Sequence, residues 1–101
     1  MSMLAETVDL VIGVDTHTDT HTAAVVATAT GALLETVTVT VDPHGYDDLL
    51  DLAGRHGGVR AFAVEGAGGY GAGLTRHLAA AGEVVVELDL RFPRFSGVFE
   101  D

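Results

Sequence analysis

Hydrophobic and polar positions divide the chain into seven segments. An apolar run from Val8 to Val14 ends at Asp15 and reads as a strand buried on both faces. A polar turn, Thr16 to Thr20, leads to a second strand-like stretch, Thr22–Thr28, and Ala29-Thr30-Gly31-Ala32 is a turn signal. From Leu33 to Val41 the pattern alternates through ETVTVTV, the period of a strand with one face in solvent. Three strands joined by short turns predict an antiparallel meander.

Asp42-Pro43 then supplies a helix N-cap and a proline suited to the first helical position. Tyr46, Leu49, Leu50 and Ala53 recur at helical spacing and Gly57 closes the element. Arg60 to Val64 is another buried-type strand, ending at Glu65. The loop GAGG follows, then a helix carrying Tyr70, Leu74 and Leu78 and stopped at Gly82, and Val84 to Leu88 is a last strand. The order βββαβαβ predicts an α/β fold with a mixed sheet, the element order of a ribonuclease-H-like domain. This domain occupies residues 1–90. The segment 91–101 has no clear period and holds Phe92, Phe95 and Phe99, too apolar a set for a solvated tail.

At 101 residues the chain is one small domain or a piece of one, burying roughly 60–70% of the surface of its unfolded state. The 48% hydrophobic content argues for a packed globule over disorder. No apolar run approaches the ~18 residues of a membrane span, and the first ten residues lack the basic start of a signal peptide. The absence of cysteine excludes disulfides and thiolate metal sites and fits a reducing cytoplasm. Fifteen acids stand against five bases, all arginine, for a formal charge of −10. Such a surface repels phosphate, so any basic footprint for a nucleic acid must come from elsewhere.

Asp15 and Glu65 each close an apolar strand, where a carboxylate suits a site at the carboxyl edge of a sheet. If the strands are parallel neighbours, about 4.8 Å apart, both side chains can share one hard divalent cation. Their same-face neighbours, Gly13 and Ala63, are small and leave room for a ligand. Mg²⁺ on such a pair suits phosphodiester chemistry, although a two-metal clamp ordinarily takes three or four acids. On placement alone, solvated strand-end acids, or a cap on the next element, are the favoured reading of the pair.

Gly66-x-Gly68-x-x-Gly71 follows a strand and opens a helix, with Glu87 and Asp89 near the end of the next strand. On paper this is a dinucleotide fingerprint, so a non-enzymatic dinucleotide-binding module using Gly66 to Gly71 is the alternative. Glu65 beside the pyrophosphate weakens it, and a plain glycine-rich turn accounts for the same residues. A Walker-type phosphate loop needs a lysine, and the chain has none. His17 and His21 fall in a turn and early strand, where four-residue spacing does not build a metal site. They read as polar loop residues, or as a proton shuttle or phosphate contact near Asp15. His44, His56 and His77 read as helix-surface residues.

Two stretches, VIGVDTHTDTHTAAVV and FAVEGAGGYGAGLTRHLAAAGEVVVELD, resemble the opening and middle blocks of the DEDD-type transposases of the IS one-ten group of insertion sequences, relatives of the Piv-type invertases. The likeness runs from about Val11 to Asp89. The family's first block ends its strand in an Asp within a D-T-H-K-D-x-H-like run, here Asp15; its second is V-E-G-T-G-x-Y, here Glu65 followed by Gly66, Gly68 and Tyr70. The resemblance implies a RuvC-like, ribonuclease-H-like N-terminal domain and Mg²⁺-dependent cleavage and transfer of DNA strands. Asp15 and Glu65 would be the first two catalytic metal ligands. It also implies DNA partners, homo-oligomers and, in the wider family, guidance by a structured RNA. Thr18 replaces the lysine usual in the first block. The family's later acids, in a K-[ST]-D-x-x-D-A run, have no counterpart in FPRFSGVFED, nor does its second domain. The expectation is therefore a truncated transposase, inactive by itself.

Overall fold

A computed structural model describes residues 8–87; Leu88, Asp89 and the Phe92, Phe95 and Phe99 segment lie outside the described residues. Seven elements follow the predicted order: β1 (Leu10–Thr16), β2 (Thr20–Ala27), β3 (Leu33–Thr40), α1 (Pro43–His56), β4 (Arg60–Val64), α2 (Ala72–Ala80) and β5 (Val85–Glu87). They form an α/β domain with one five-stranded sheet in the order β3-β2-β1-β4-β5. β1, β2 and β3 are antiparallel neighbours, while β4 and β5 run parallel to β1. No described helix is long and apolar enough to cross a membrane.

Both helices pack on one sheet face, and the strand alternation dictates which residues meet them. Leu10, Ile12 and Val14 of β1, Ala23 and Val25 of β2, and Phe62 and Val64 of β4 join Tyr46, Leu49, Leu52 and Ala53 of α1 and Leu74 and Leu78 of α2 in one core. At about 25 cal/mol per Å², fully burying each large side chain contributes roughly 1.5–3 kcal/mol. The opposite face carries Val11, Val26 and Ala63, with Val8 and Val86 packed beside them.

α1 begins where its sequence predicts. Asp42 is the N-cap, its Oδ1 accepting the Gly45 N–H at 2.8 Å and the Thr40 hydroxyl at 3.0 Å, and Pro43 occupies the first turn. Gly57 ends the helix with φ at +69°, a conformation that glycine adopts without steric cost. At its C-terminal end Arg55 and His56 both reach Glu35 of β3, at 2.9 and 2.8 Å.

Several predicted boundaries move, two of them beside the paired acids. β1 extends past its apolar run to include Asp15 and Thr16, because these residues still pair with Thr22 and His21 of β2 and the His17 N–H donates to the Thr20 carbonyl at 3.0 Å. Tyr70 is not on a helix. Gly66 O accepts from both Gly69 N and Gly71 N, a succession of turns that delays α2 until Ala72.

Candidate functional site

The site lies at the carboxyl edge of the parallel part of the sheet. β1 and β4 are in register from Leu10 and Arg60 to Val14 and Val64, so the next residues, Asp15 and Glu65, stand side by side. The Glu65 N–H donates to Val14 O at 3.0 Å, carrying the parallel ladder one residue beyond β4. On this face the preceding residues are Gly13 and Ala63, themselves paired, and neither presents a bulky side chain. The parallel adjacency that the pair of acids required is thus present.

Both acids are partly buried, and of the two carboxylates it is that of Asp15 which has a basic neighbour. Asp15 Oδ2 lies 3.1 Å from Nε2 of His17, whose ring is largely exposed. Glu65 titrates above the ordinary range: burial disfavours its charge first, then the hydrogen bond and repulsion from Asp15, then repulsion from Glu87, with His17 opposing. Below it, the Thr16 hydroxyl donates to the Glu65 carbonyl at 2.8 Å, tying β1 to the start of the glycine loop. The two acids therefore stand in mutual repulsion in partly dehydrated surroundings, and a shared cation or proton relieves it.

Of the three fingerprint glycines after Glu65, two have a steric or conformational task and one has none. Gly66 has φ at +64°, and a Cβ there would touch Thr16 Oγ1 at 3.3 Å. At Gly71 a Cβ would stand 2.7 Å from Val64 Cγ1, whereas at Gly68 it would meet nothing within 4 Å. Ala67 N–H donates to Glu87 Oε2 at 3.1 Å, so Glu87 braces the loop from β5. A cleft of about 460 Å³, lined by Thr16, Glu65, Gly66, Gly69 and Tyr70, opens beside the loop.

The histidines part company. His17 joins Asp15, as the shuttle reading requires of it. His21 is no polar loop residue: it is completely buried on the helix side of β2, with its ring stacked 6.2 Å from that of Tyr46 and Nε2 lacking a hydrogen-bond partner. Its alternation with Ala23 and Val25 was the available signal for burial. His44 is exposed on α1, while His77 bridges the two helices through Asp47 at 2.8 Å. Asp89 lies outside the described residues.

Oxygen donors suit a hard cation such as Mg²⁺, which is commonly held by one or two carboxylates with water and substrate phosphate completing its shell. Asp15 and Glu65 fit that role for one ion. Among the described residues no group of three or more His, Cys, Asp or Glu is placed to hold a metal. Comparison of the chain with known protein families, curated proteins and solved structures finds no match.

Proposed function

We propose that this chain is the N-terminal, ribonuclease-H-like domain of a DEDD-type transposase and supplies the first two acids of its strand-cleaving centre. The observation that carries this reading is the juxtaposition of Asp15 and Glu65 at the ends of parallel neighbours, with Gly13 and Ala63 beneath them. The strand order β3-β2-β1-β4-β5, an antiparallel meander continued by two parallel strands, is the order a ribonuclease-H-like sheet calls for and supports the same reading.

A bound Mg²⁺ would polarise the scissile phosphate and lower the pKa of an attacking water or hydroxyl. Asp15 and Glu65 would fix its position at the sheet edge, and His17, bonded to Asp15, would keep that carboxylate oriented. The Thr16 hydroxyl, bonded to the Glu65 carbonyl, fixes the backbone from which that side chain springs. Two carboxylates are too few for a two-metal clamp, and among the described residues no larger group is placed to hold a metal, so this pair by itself would hold one cation without cutting DNA. On this reading the partners are DNA, further copies of the chain and, as in the wider family, a guide RNA, and the −10 charge calls for a basic surface from elsewhere to hold the DNA. The reading places the protein in the cytoplasm.

Titration calorimetry of the 101-residue chain with Mg²⁺ and Mn²⁺ tests this. One divalent ion should bind, more weakly as pH falls through the raised Glu65 titration, and Asp15→Asn or Glu65→Gln should reduce affinity at least tenfold. Equal binding by both variants would overturn the site, and Mg²⁺-dependent nicking by the chain would overturn its inactivity alone.

The dinucleotide reading has thinner support. In the Gly66–Gly71 loop the Ala67 N–H is engaged by the Glu87 carboxylate, and those of Gly69 and Gly71 by Gly66 O. Those amides are the ones a pyrophosphate would need.

A further inference from the structure

Of the three aromatic residues Tyr46, Phe62 and Tyr70 within the described part, two are in the core, and Tyr70 is 63% exposed. No described hydrogen bond or ring contact engages it, so core packing does not account for its being a tyrosine. It stands over the cleft beside Glu65, whose other walls are Thr16, Gly66 and Gly69. The two glycines bring bare backbone to the floor, and the lining is mostly apolar. That combination suits a flat, neutral ring laid against the tyrosine face, whereas a phosphate or other anion would meet Glu65 and find no basic side chain among the lining residues.

We propose that this cleft receives one unpaired nucleobase of a nucleic-acid strand, stacked on Tyr70, while a divalent cation on the Asp15–Glu65 pair would offset the charge of the adjoining phosphate. Glu65 belongs to both halves: its carboxylate stands beside Asp15, and the same residue walls the cleft. A base held there fixes where the backbone crosses the carboxylates, so Tyr70 is a positioning residue for the strand. The assignment rests on the metal-dependent strand-handling reading above and adds the ligand class and the residue that grips it. Base–aromatic stacking tolerates any base, so the cleft registers an unstacked nucleotide without reading sequence.

The test is a titration of a single-stranded hexadeoxynucleotide containing one 2-aminopurine with the 101-residue chain, with and without Mg²⁺. Stacking should quench the probe at saturation. Tyr70→Phe, which keeps the ring face, should bind like the parent. Tyr70→Ala should weaken binding roughly 5- to 150-fold, the range for one base–aromatic stack. An abasic oligomer with the same phosphates should bind the parent and Tyr70→Ala equally. The exposure of Tyr70 makes both variants fold-neutral, which an unchanged melting temperature verifies. Equal affinity of parent and Tyr70→Ala overturns the base site, even if Mg²⁺ strengthens binding through Asp15 and Glu65. Tyr70-dependent quenching with no Mg²⁺ dependence upholds the base site and counts against the metal reading. Thymidine monophosphate or NAD binding as tightly as the hexanucleotide overturns the strand as occupant.

Discussion

Built onto Gly71, a Cβ would stand 2.7 Å from Cγ1 of Val64, 3.0 Å from the Gly66 carbonyl oxygen and 3.2 Å from that of Glu65. Two of those three atoms are backbone and cannot rotate away. Gly71→Ala should therefore cost on the order of 1–3 kcal/mol, as overpacking does elsewhere, or roughly 4–20 °C in melting temperature for a domain of this size. Gly68→Ala, with open space at its Cβ, should change stability by no more than about 0.5 kcal/mol. Paired thermal melts decide it. The three-glycine spacing is plain in the sequence, but the reasons for it are not. Gly66 is there for its positive φ and Gly71 for close packing, and a fingerprint of spacings carries neither fact. Asp15 and Glu65 were legible because each ends an apolar run; the exposed ring of Tyr70 was not, because four-residue spacing to Leu74 and Leu78 placed it on the helix.

Among the elements, α1 depends most visibly on a single cap. Asp42 titrates below the usual carboxylate range, held there first by the Gly45 N–H and then by the Thr40 hydroxyl. A carboxyl depressed by folding stabilises the fold above its unfolded pKa, and that contribution is lost as pH falls through the depressed value. Asp42→Ala should lower the melting temperature at neutral pH, Asp42→Asn should retain most of it, and the gap between parent and Ala variant should narrow only in acid. Circular-dichroism melts across that range measure it. The sequence announces this helix at both ends, through Asp42-Pro43 and Gly57, because caps act within a few residues. β4 is legible for a similar reason, its five residues bounded by Gly58 and the Glu65–Gly66 turn. The end of β1 was not legible, since pairing with Thr22 and His21 across a hairpin, rather than its own hydrophobicity, carries it through Asp15 and Thr16.

At the scale of the whole molecule, pH acts through the interior as well as the site. His21 titrates below the ordinary imidazole value of 6.5, chiefly because burial disfavours its charged form, with repulsion from His17 adding and the Thr20 carbonyl and Asp15 opposing. Thr16, Val39 and Tyr46 surround it from β1, β3 and α1. The folded state then binds fewer protons than the unfolded state below pH 6.5, so stability falls as pH drops through that value toward the lowered one. His21→Phe keeps a ring against Tyr46 and removes the proton, and should flatten this part of the stability profile in urea titrations. A dependence unchanged by the substitution would place its source elsewhere. Charge composition alone could not locate this histidine, because burial is a property of the assembled sheet.

β3 is an outer strand of the sheet among the described residues, and its pairing with β2 slips once: Val25 faces Glu35 while Val26 faces Leu33, leaving Leu34 as an extra residue. The extra residue kinks the strand and deepens its twist. An extended segment of another molecule seeking to lengthen the sheet would find its template broken beyond Glu35, and next to the break a carboxylate already tied to Arg55 and His56. The alternating ETVTVTV stretch starts at Glu35, where the misfit ends, so the regular edge is confined to that one side of it. A single misfit residue thus helps to keep its edge from recruiting others of its kind.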